Sequence, residues 1–270
     1  MRQTRWALVG AALLAGLALG RPLGRAGHAP PTPRPRRAPL ATAIRRTGPP
    51  APTVYLTIDD GPNPVGTPKV LQILRQYHVR VTFFVIGMHA AAYPNLLRAM
   101  YREGNAIGDH TWDHDYALCY RSPEAALADF NHAADVIQKI LGFRPHIARA
   151  PGGTWGNFTP ETFRLLHQAG YRIYNWNVSV GDSSLSPVPP AVELARVEAE
   201  TRGTGPYIVL MHDDHPNTVA ALPAIIRYFK ARGFRFGLLT DPDVPRSLEA
   251  VWIPFKYAPW VGGVGTTGKE

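Results

Sequence analysis

Cysteine is nearly absent from this sequence, which has only Cys119 among its 270 residues. No disulfide can form within the chain, so a packed core must stabilise the folded state. A chain of this length can bury a core of sufficient size, and we expect one large domain with appendages. A lone cysteine is more often a small buried apolar side chain than a nucleophile, which argues against cysteine chemistry.

The N-terminus lacks an apolar run as long as a transmembrane helix, which needs about 20 residues. Residues 6–19 are apolar, follow Arg2 and Arg5, and end in small residues. This arrangement predicts a secretory signal over residues 1–20, with an uncleaved N-terminal anchor as the alternative. In either case we expect a secreted or extracytoplasmic protein that touches a membrane only through such an anchor.

Acidic residues are absent from residues 1–52, which hold nine arginines. The rest of the chain carries 20 basic and 20 acidic residues, so the formal net charge of +9 belongs to this N-terminal part. A nucleic-acid-binding face needs its basic residues on the folded surface, so we expect no nucleic-acid partner. Residues 21–52 also contain nine prolines and no apolar periodicity, which predicts an extended linker.

From residue 53 onward, β-favouring apolar segments alternate with segments of helical periodicity. Strands are predicted at 54–58, 81–87, 105–108, 145–148, 171–178, 207–211 and 234–239, and helices at 67–78, 94–102, 123–141, 160–169, 192–201 and 222–232. Such alternation predicts the α/β class, with parallel strands in a doubly wound sheet or a barrel. A dinucleotide-binding sheet would have a glycine-rich turn after its first strand, and two aspartates stand there instead. We therefore predict a distorted (β/α) barrel of about seven strands at 53–240, followed by a tail at 241–270.

Two adjacent aspartates, Asp59 and Asp60, follow the first predicted strand and precede Gly61-Pro62. In α/β barrels the carboxyl ends of the strands form the catalytic rim. Taken alone, the motif fits a turn as well as a catalytic site, because Asp-Gly-Pro after a strand is ordinary loop chemistry.

His110 and His114 are four positions apart, a spacing that would place both imidazoles on one face of a helical turn. This spacing suits two nitrogen ligands on one divalent metal, with a chance surface pair as the alternative. Together with Asp60 they would supply two nitrogens and one oxygen and leave coordination positions open. Such an open set is typical of a catalytic rather than a structural metal site.

Further polar groups fall at or after later strand ends. Arg149 precedes Pro151 and two glycines, and a forked guanidinium there could hold a carboxylate in a fixed orientation. His212 ends the strand that contains Leu210, and Asp182 lies between these two motifs. The alternatives are an ordinary turn for the Pro-Gly-Gly segment and a packed residue for His212.

The ordered motifs resemble the polysaccharide deacetylases of carbohydrate esterase family 4, the NodB-homology proteins. The matching segments are residues 57–62, 110–114, 149–153, Asp182 and 210–212. The resemblance covers about residues 53–240, and it implies a NodB-like fold related to the TIM barrel. It also implies metal-dependent hydrolytic deacetylation of N-acetylated glycans.

The resemblance also implies a role for each motif. The metal ligands would be Asp60, His110 and His114, with Zn²⁺ as the first choice and Co²⁺ or Ni²⁺ as alternatives. The catalytic residues would be Asp59 as general base, Arg149 beside it, His212 as general acid and Asp182 as its orienting partner. The substrate-binding residues would be Gly152, Pro151, Leu210 and Trp112, with the backbone N–H of Gly152 facing the oxyanion.

The sequence departs from the family pattern in ways that bear on the substrate. Gly152 stands where an aromatic is common, and Ser183 stands where tryptophan is common. Trp112, Trp155 and Tyr116 could supply stacking surface for a sugar instead, although Trp112 could equally belong to the core.

We expect N-acetylglucosamine residues of peptidoglycan as the first substrate and a monomeric enzyme. A chitin oligomer or an exopolysaccharide comes next, and then an O-acetyl ester such as acetylxylan. A non-catalytic glycan-binding envelope protein is the alternative of another class.

Overall fold

The computed structural model describes residues 51–184 and 186–252. The predicted signal or anchor at 1–20, nearly all of the predicted linker at 21–52, and residues 253–270 lie outside these ranges. Among the helices of the described ranges, none combines the length and the apolar character that a membrane crossing requires.

The described residues form eight strands and eight α-helices. The strands are β1 (Thr53–Asp59), β2 (Thr82–Val85), β3 (Ala106–Asp109), β4 (Ile147–Ala148), β5 (Arg172–Ile173), β6 (Val178–Ser179), β7 (Tyr207–His212) and β8 (Arg235–Phe236). The helices are α1 (Gly66–Tyr77), α2 (Gly87–Ala92), α3 (Pro94–Arg102), α4 (Tyr116–Cys119), α5 (Pro123–Leu141), α6 (Pro160–Gln168), α7 (Pro190–Glu200) and α8 (Pro216–Ala231). A short 3₁₀ turn, Arg246–Leu248, follows β8.

The strand pairings are parallel and follow the order β5-β4-β3-β2-β1-β7-β6, with β8 also paired to β1. The sheet curls into an open barrel, and within residues 51–184 and 186–252 no pairing joins β5 to β6. This confirms the predicted α/β class and the distorted (β/α) barrel. In the register of β1 with β7, Asp59 is opposite His212, so two predicted site residues lie side by side at the same strand ends.

The core explains why β1 lies at the centre of the sheet. Six of its seven residues are buried, and its aliphatic side chains pack with those of α1 and α8 on the outer side. Aromatic side chains fill the other side of the sheet; they include Tyr55, Phe84, Tyr174 and Trp176. The strand is buried on both faces, as a parallel strand covered on both sides must be, and only Thr57 and Asp59 are polar among its buried residues.

Several predicted strands are shorter in the structure, and two predicted elements differ by more than a few residues at their ends. The single strand expected at 171–178 is two short strands, because the carbonyls of Tyr174 and Asn175 accept hydrogen bonds from the Arg149 guanidinium instead of from a neighbouring strand. The helix expected to start at residue 222 starts at Pro216, where a proline is tolerated in the first turn, and continues through Pro223.

The chain beyond residue 240 continues along the barrel. The backbone N–H of Ala250 donates to the carbonyl of Ile173 at 2.7 Å, and Arg172 forms an ion pair with Glu249 at 2.9 Å. Val244 is buried in the same cluster as Tyr174. Residues 241–250 therefore cover the β5 side of the sheet, and the domain boundary at 240 stays a prediction.

Gly66 provides a test of how closely the loops at the carboxyl ends of β1 and β7 are packed. A Cβ at this position would lie 1.6 Å from the carbonyl oxygen of Asp213, which is a backbone atom of the β7–α8 loop. We expect Gly66→Ala to lower the free energy of unfolding by about 1–3 kcal/mol, the usual cost of overpacking. Urea unfolding measures this change. The matched control is Gly203→Ala, whose Cβ would meet only the Tyr207 hydroxyl, at 3.0 Å. Equal stability of the two variants would contradict the close contact.

Candidate active site

A buried ion pair lies at the end of β1. The Arg149 guanidinium is fully buried, and its Nη1 donates to Asp59 Oδ1 at 2.9 Å and to Thr57 Oγ1 at 2.7 Å. Its Nε and Nη2 donate to the carbonyls of Tyr174 and Asn175, each at 3.1 Å. Because several groups fix the guanidinium, the Asp59 carboxylate that it binds has one orientation.

Asp60 lies beside two imidazoles. Its Oδ1 is 3.4 Å from His110 Nε2 and 3.8 Å from His114 Nε2, and one ligand atom from each of the three residues lies within 4.8 Å of the others. Asp60 Oδ1 is buried and has no hydrogen-bond partner among the described residues. Three potential ligand atoms therefore converge on one point, which a cation can occupy.

The two histidines reach Asp60 from a loop, so the prediction of a helical turn at 110–114 was wrong. Thr111 and His114 have positive φ values of 65° and 61°, which a right-handed helix excludes. Carboxylates hold this loop in place, because the Thr111 N–H donates to Asp109 Oδ1 at 2.9 Å and the Trp112 N–H donates to Asp129 at 3.0 Å. The loop brings the His110 and His114 rings to a centroid distance of 4.9 Å.

The donor atoms of these groups suit a divalent metal. His110 Nδ1 lies 2.8 Å from the carbonyl oxygen of Arg149 and must donate to it, so Nε2 is the nitrogen available beside Asp60. Burial would lower the pKa of His110, but Asp59 and Asp60 raise it, so a bound cation would displace the Nε2 proton. Burial and then the nearby His110 lower the pKa of His114 to about 4, so its imidazole is neutral. Burial alone would raise the pKa of Asp60, but His110 outweighs it and holds that pKa well below its usual range. Imidazole nitrogens and an ionised carboxylate are ligands that Zn²⁺ and similar divalent transition-metal ions bind, so these residues fit a divalent metal.

His212 approaches Asp60 from the opposite side. Its Nδ1 donates to Asp182 Oδ1 at 2.9 Å, its backbone N–H donates to Asp182 Oδ2 at 2.9 Å, and its Nε2 lies 4.0 Å from Asp60 Oδ2. Burial would lower the pKa of His212, but the hydrogen bond and charge of Asp182 raise it to about 10. The imidazolium therefore presents an Nε2 proton toward the centre of the site.

The residues predicted to bind substrate occupy different surroundings. Gly152 has a φ of 64°, and the Tyr116 hydroxyl lies 2.6 Å from where a Cβ would stand. The Pro151 carbonyl accepts a hydrogen bond from the Tyr120 hydroxyl at 2.7 Å, and Leu210 is buried in the barrel. Trp112 stacks on His132 of α5, with ring centroids 3.9 Å apart, so one face of its indole is used in packing. The substrate-binding roles of these four residues stay predictions.

His89 is a contact of the site that the sequence analysis missed. Its Nδ1 lies 2.6 Å from the carbonyl oxygen of Asp60, and it belongs to α2, a helix that was not predicted. Its position four residues after the end of β2 is a signal that could have placed it at the catalytic rim.

Comparisons with known proteins agree with this geometry. A family model described as polysaccharide deacetylase matches residues 46–174. The chain is 36% identical over 207 residues to a chitooligosaccharide deacetylase of Sinorhizobium fredii, covering 71% of this chain and 92% of that protein. It is 30% identical over 185 residues to a peptidoglycan-N-acetylglucosamine deacetylase of Bacillus cereus, covering 67% of each.

The fold is similar to that of solved structures. It matches the crystal structure of the catalytic domain of a peptidoglycan N-acetylglucosamine deacetylase from Eubacterium rectale with a TM-score of 0.67 and 29% identity. The match covers 73% of this chain and 92% of that one.

The Arg149–Asp59 pair provides a stability prediction. Arg149→Met removes the cation and leaves the Asp59 carboxylate buried without its charge partner, which costs about 3–5 kcal/mol. We expect a loss of this size in urea unfolding. The control is Arg149→Lys, which keeps a positive charge but loses the forked geometry and should lose less. An Arg149→Met variant as stable as the unmodified protein would show that the pair does not hold this end of β1.

Proposed function

The chain belongs to the polysaccharide deacetylase family, and we propose that it hydrolyses the acetamide groups of N-acetylated glycans, with N-acetylglucosamine residues of peptidoglycan as its substrate. The observation that carries this proposal is the convergence of Asp59, Asp60, His110, His114 and His212 at one end of the barrel. A chitin oligosaccharide is the second candidate, because the relative with 36% identity is a chitooligosaccharide deacetylase.

We propose that Asp60, His110 and His114 hold Zn²⁺, with Co²⁺ or Ni²⁺ as alternatives that the same donors accept. When bound, such an ion supplies a Lewis acid that polarises a carbonyl oxygen and a water molecule. His110 and His114 contribute neutral nitrogens, and Asp60 contributes the one negative charge among the three ligands.

Asp59 is the proposed general base. Arg149 holds its Oδ1, while Oδ2 lies 3.7 Å from His110 Nε2 on the side where the three ligand atoms converge. Oδ2 is thus placed to accept a proton from a water molecule as the water attacks the acetamide carbonyl. The guanidinium keeps the proposed base in position.

His212 is the proposed general acid. The Nδ1–H of His212 donates a hydrogen bond to Asp182. Nε2 is therefore the nitrogen that can give a proton to the departing amine as the carbon–nitrogen bond breaks. The products are acetate and a glycan with a free amino group. Asp59 and His212 lie on adjacent strands, so the proton acceptor and the proton donor flank the same space.

We propose that the reaction takes place outside the cytoplasm. The similarity to peptidoglycan deacetylases and the signal or anchor predicted over residues 1–20 support this location.

Acetate release tests the function and the substrate together. We expect the zinc-loaded full chain to release acetate from peptidoglycan, with chitin oligomers assayed in parallel. Release from chitin oligomers alone would keep the chemistry and replace the substrate. Release only from acetylxylan would indicate an ester hydrolase. Zinc binding without release from any of these glycans would contradict the catalytic proposal and favour a glycan-binding protein.

The base assignment makes a prediction of its own. We expect Asp59→Asn to lower kcat by about 100- to 10,000-fold, the usual contribution of a general base. Zinc content, measured by mass spectrometry, should stay at one ion per chain because Asp59 is not one of the three proposed ligands. The control is Asp214→Asn, an exposed carboxylate paired with His215, which should keep full activity. Normal turnover by Asp59→Asn would refute the assignment.

A further inference from the structure

A buried acid that the proposed chemistry does not use lies behind His212. Glu193 belongs to the first turn of α7 and is 1% exposed. Its Oε1 lies 3.3 Å from Thr218 Oγ1 on α8, and its Oε2 has no hydrogen-bond partner among the described residues. Glu193 and Asp182 both line a cavity of about 400 Å³. Burying a carboxyl group without full hydrogen bonding costs free energy.

Thr218 connects this acid to the proposed catalytic pair. Its hydroxyl has one proton, and Asp182 Oδ2 at 3.0 Å is a closer acceptor than Glu193 Oε1 at 3.3 Å. When Thr218 donates to Asp182, its oxygen lone pairs face Glu193. This contact is favourable only if Glu193 is protonated and donates to Thr218.

The surroundings of Glu193 favour its protonated form. Burial first, and then the Asp182 carboxylate, raise the pKa of Glu193 to about 7. A hydrogen bond from Thr218 and then the charge of Arg196 oppose this shift in the pKa without reversing it. The Nη1 of Arg196 donates to the carbonyls of Val180 and Gly181 and forms no ion pair with Glu193. From α8, Thr218 presents only its hydroxyl to the carboxyl group.

We propose that Glu193 is a positioning residue for the catalytic acid: protonated Glu193 donates to Thr218, Thr218 donates to Asp182, and Asp182 holds the His212 ring by its Nδ1 proton. Both Asp182 oxygens are then engaged, Oδ1 by the ring and Oδ2 by Thr218 and the His212 backbone N–H. This inference rests on the proposed role of His212. Under this proposal, residues of α7 and α8 set the orientation of the His212 ring, although His212 itself belongs to β7.

Ionisation of Glu193 would interrupt this chain of hydrogen bonds. A Glu193 carboxylate competes with Asp182 for the single proton of Thr218 and adds a second negative charge beside Asp182. Asp182 then loses one of its donors, and the His212 ring is held less firmly. The arrangement is therefore intact below the pKa of Glu193 and weakens as the pH rises through it.

Two pairs of variants of the full chain, loaded with zinc, test the proposal. Glu193→Gln keeps a donor for Thr218, whereas Glu193→Met removes it; Thr218→Ser keeps the hydroxyl, whereas Thr218→Val removes it. We expect Glu193→Gln and Thr218→Ser to keep most of the wild-type kcat at pH 6. Glu193→Met and Thr218→Val should each lower kcat about tenfold with KM unchanged, because each removes one hydrogen bond from the chain that holds the His212 ring.

Two further readouts separate positioning from general stability. The double variant Glu193→Met/Thr218→Val should be no slower than Thr218→Val alone, because both changes interrupt one chain. The kcat ratio of wild type to Glu193→Gln should fall as the pH rises through about 7, since only the wild type has an ionisable group there. A Glu193→Gln variant as slow as Glu193→Met, or additive losses in the double variant, would overturn the proposal.

An NMR signal tests the positioning without any turnover. The proton on His212 Nδ1, identified by its loss in His212→Asn, should be observed in wild type, Glu193→Gln and Thr218→Ser. It should exchange faster with water in Glu193→Met and Thr218→Val. An unchanged signal in all variants would refute the positioning role. If the wild type releases no acetate from any glycan, the proposed function fails, and this signal still decides whether Glu193 holds the ring.

Discussion

The buried ion pair between Arg149 and Asp59 is the interaction on which the rest of the site depends. Arg149 leaves the end of β4, crosses to the end of β1, and bonds the carbonyls that follow β5. Three parts of the barrel that are distant in sequence are thereby fixed to one guanidinium. Without this cation, Asp59 would be a buried carboxylate next to a second carboxylate, Asp60, and the two charges would destabilise each other.

The parallel sheet then determines which groups meet. The register of β1 and β7 pairs Asp59 with His212, and the register of β3 with β4 sets Asp109, the residue before His110, opposite Ala148, the residue before Arg149. A slip of one residue in either pairing would turn these side chains to the other face of the sheet. The core therefore bears on the proposed catalysis, because the same apolar packing that fixes the register also fixes the distance between Asp59 and His212, the proposed base and acid.

The sequence was sufficient to predict the residues of the candidate site that lie at the ends of strands. An apolar strand that stops at Asp59-Asp60 or at His212 predicts a rim residue without any tertiary information, and the sheet confirmed that interpretation. The loop at 110–114 could not be predicted in this way, since it has positive φ values at Thr111 and His114 and is held through its backbone N–H groups by carboxylates on β3 and α5. His89 and the Glu193–Thr218 contact were missed for a related reason. They lie on helices, and only the folded barrel brings them to groups more than 20 residues away.

Asp59, Asp182 and Asp60, the three carboxylates of the proposed machinery, differ in what compensates their charge, and this difference supports the roles that we propose for them. Asp59 faces the guanidinium of Arg149, which stays protonated at any ordinary pH. As the proposed base, Asp59 can therefore accept and return a proton while the charge of Arg149 does not change. Asp182 faces an imidazolium that must itself give up a proton, so its charge serves to stabilise the donor. Asp60 faces His110, whose Nδ1 donates to the carbonyl of Arg149, and His114, whose low pKa leaves it neutral, so each offers an Nε2 to a cation beside Asp60. Asp60 is not paired with a guanidinium as Asp59 is, and for this reason we place the proposed metal on Asp60 rather than on the adjacent Asp59.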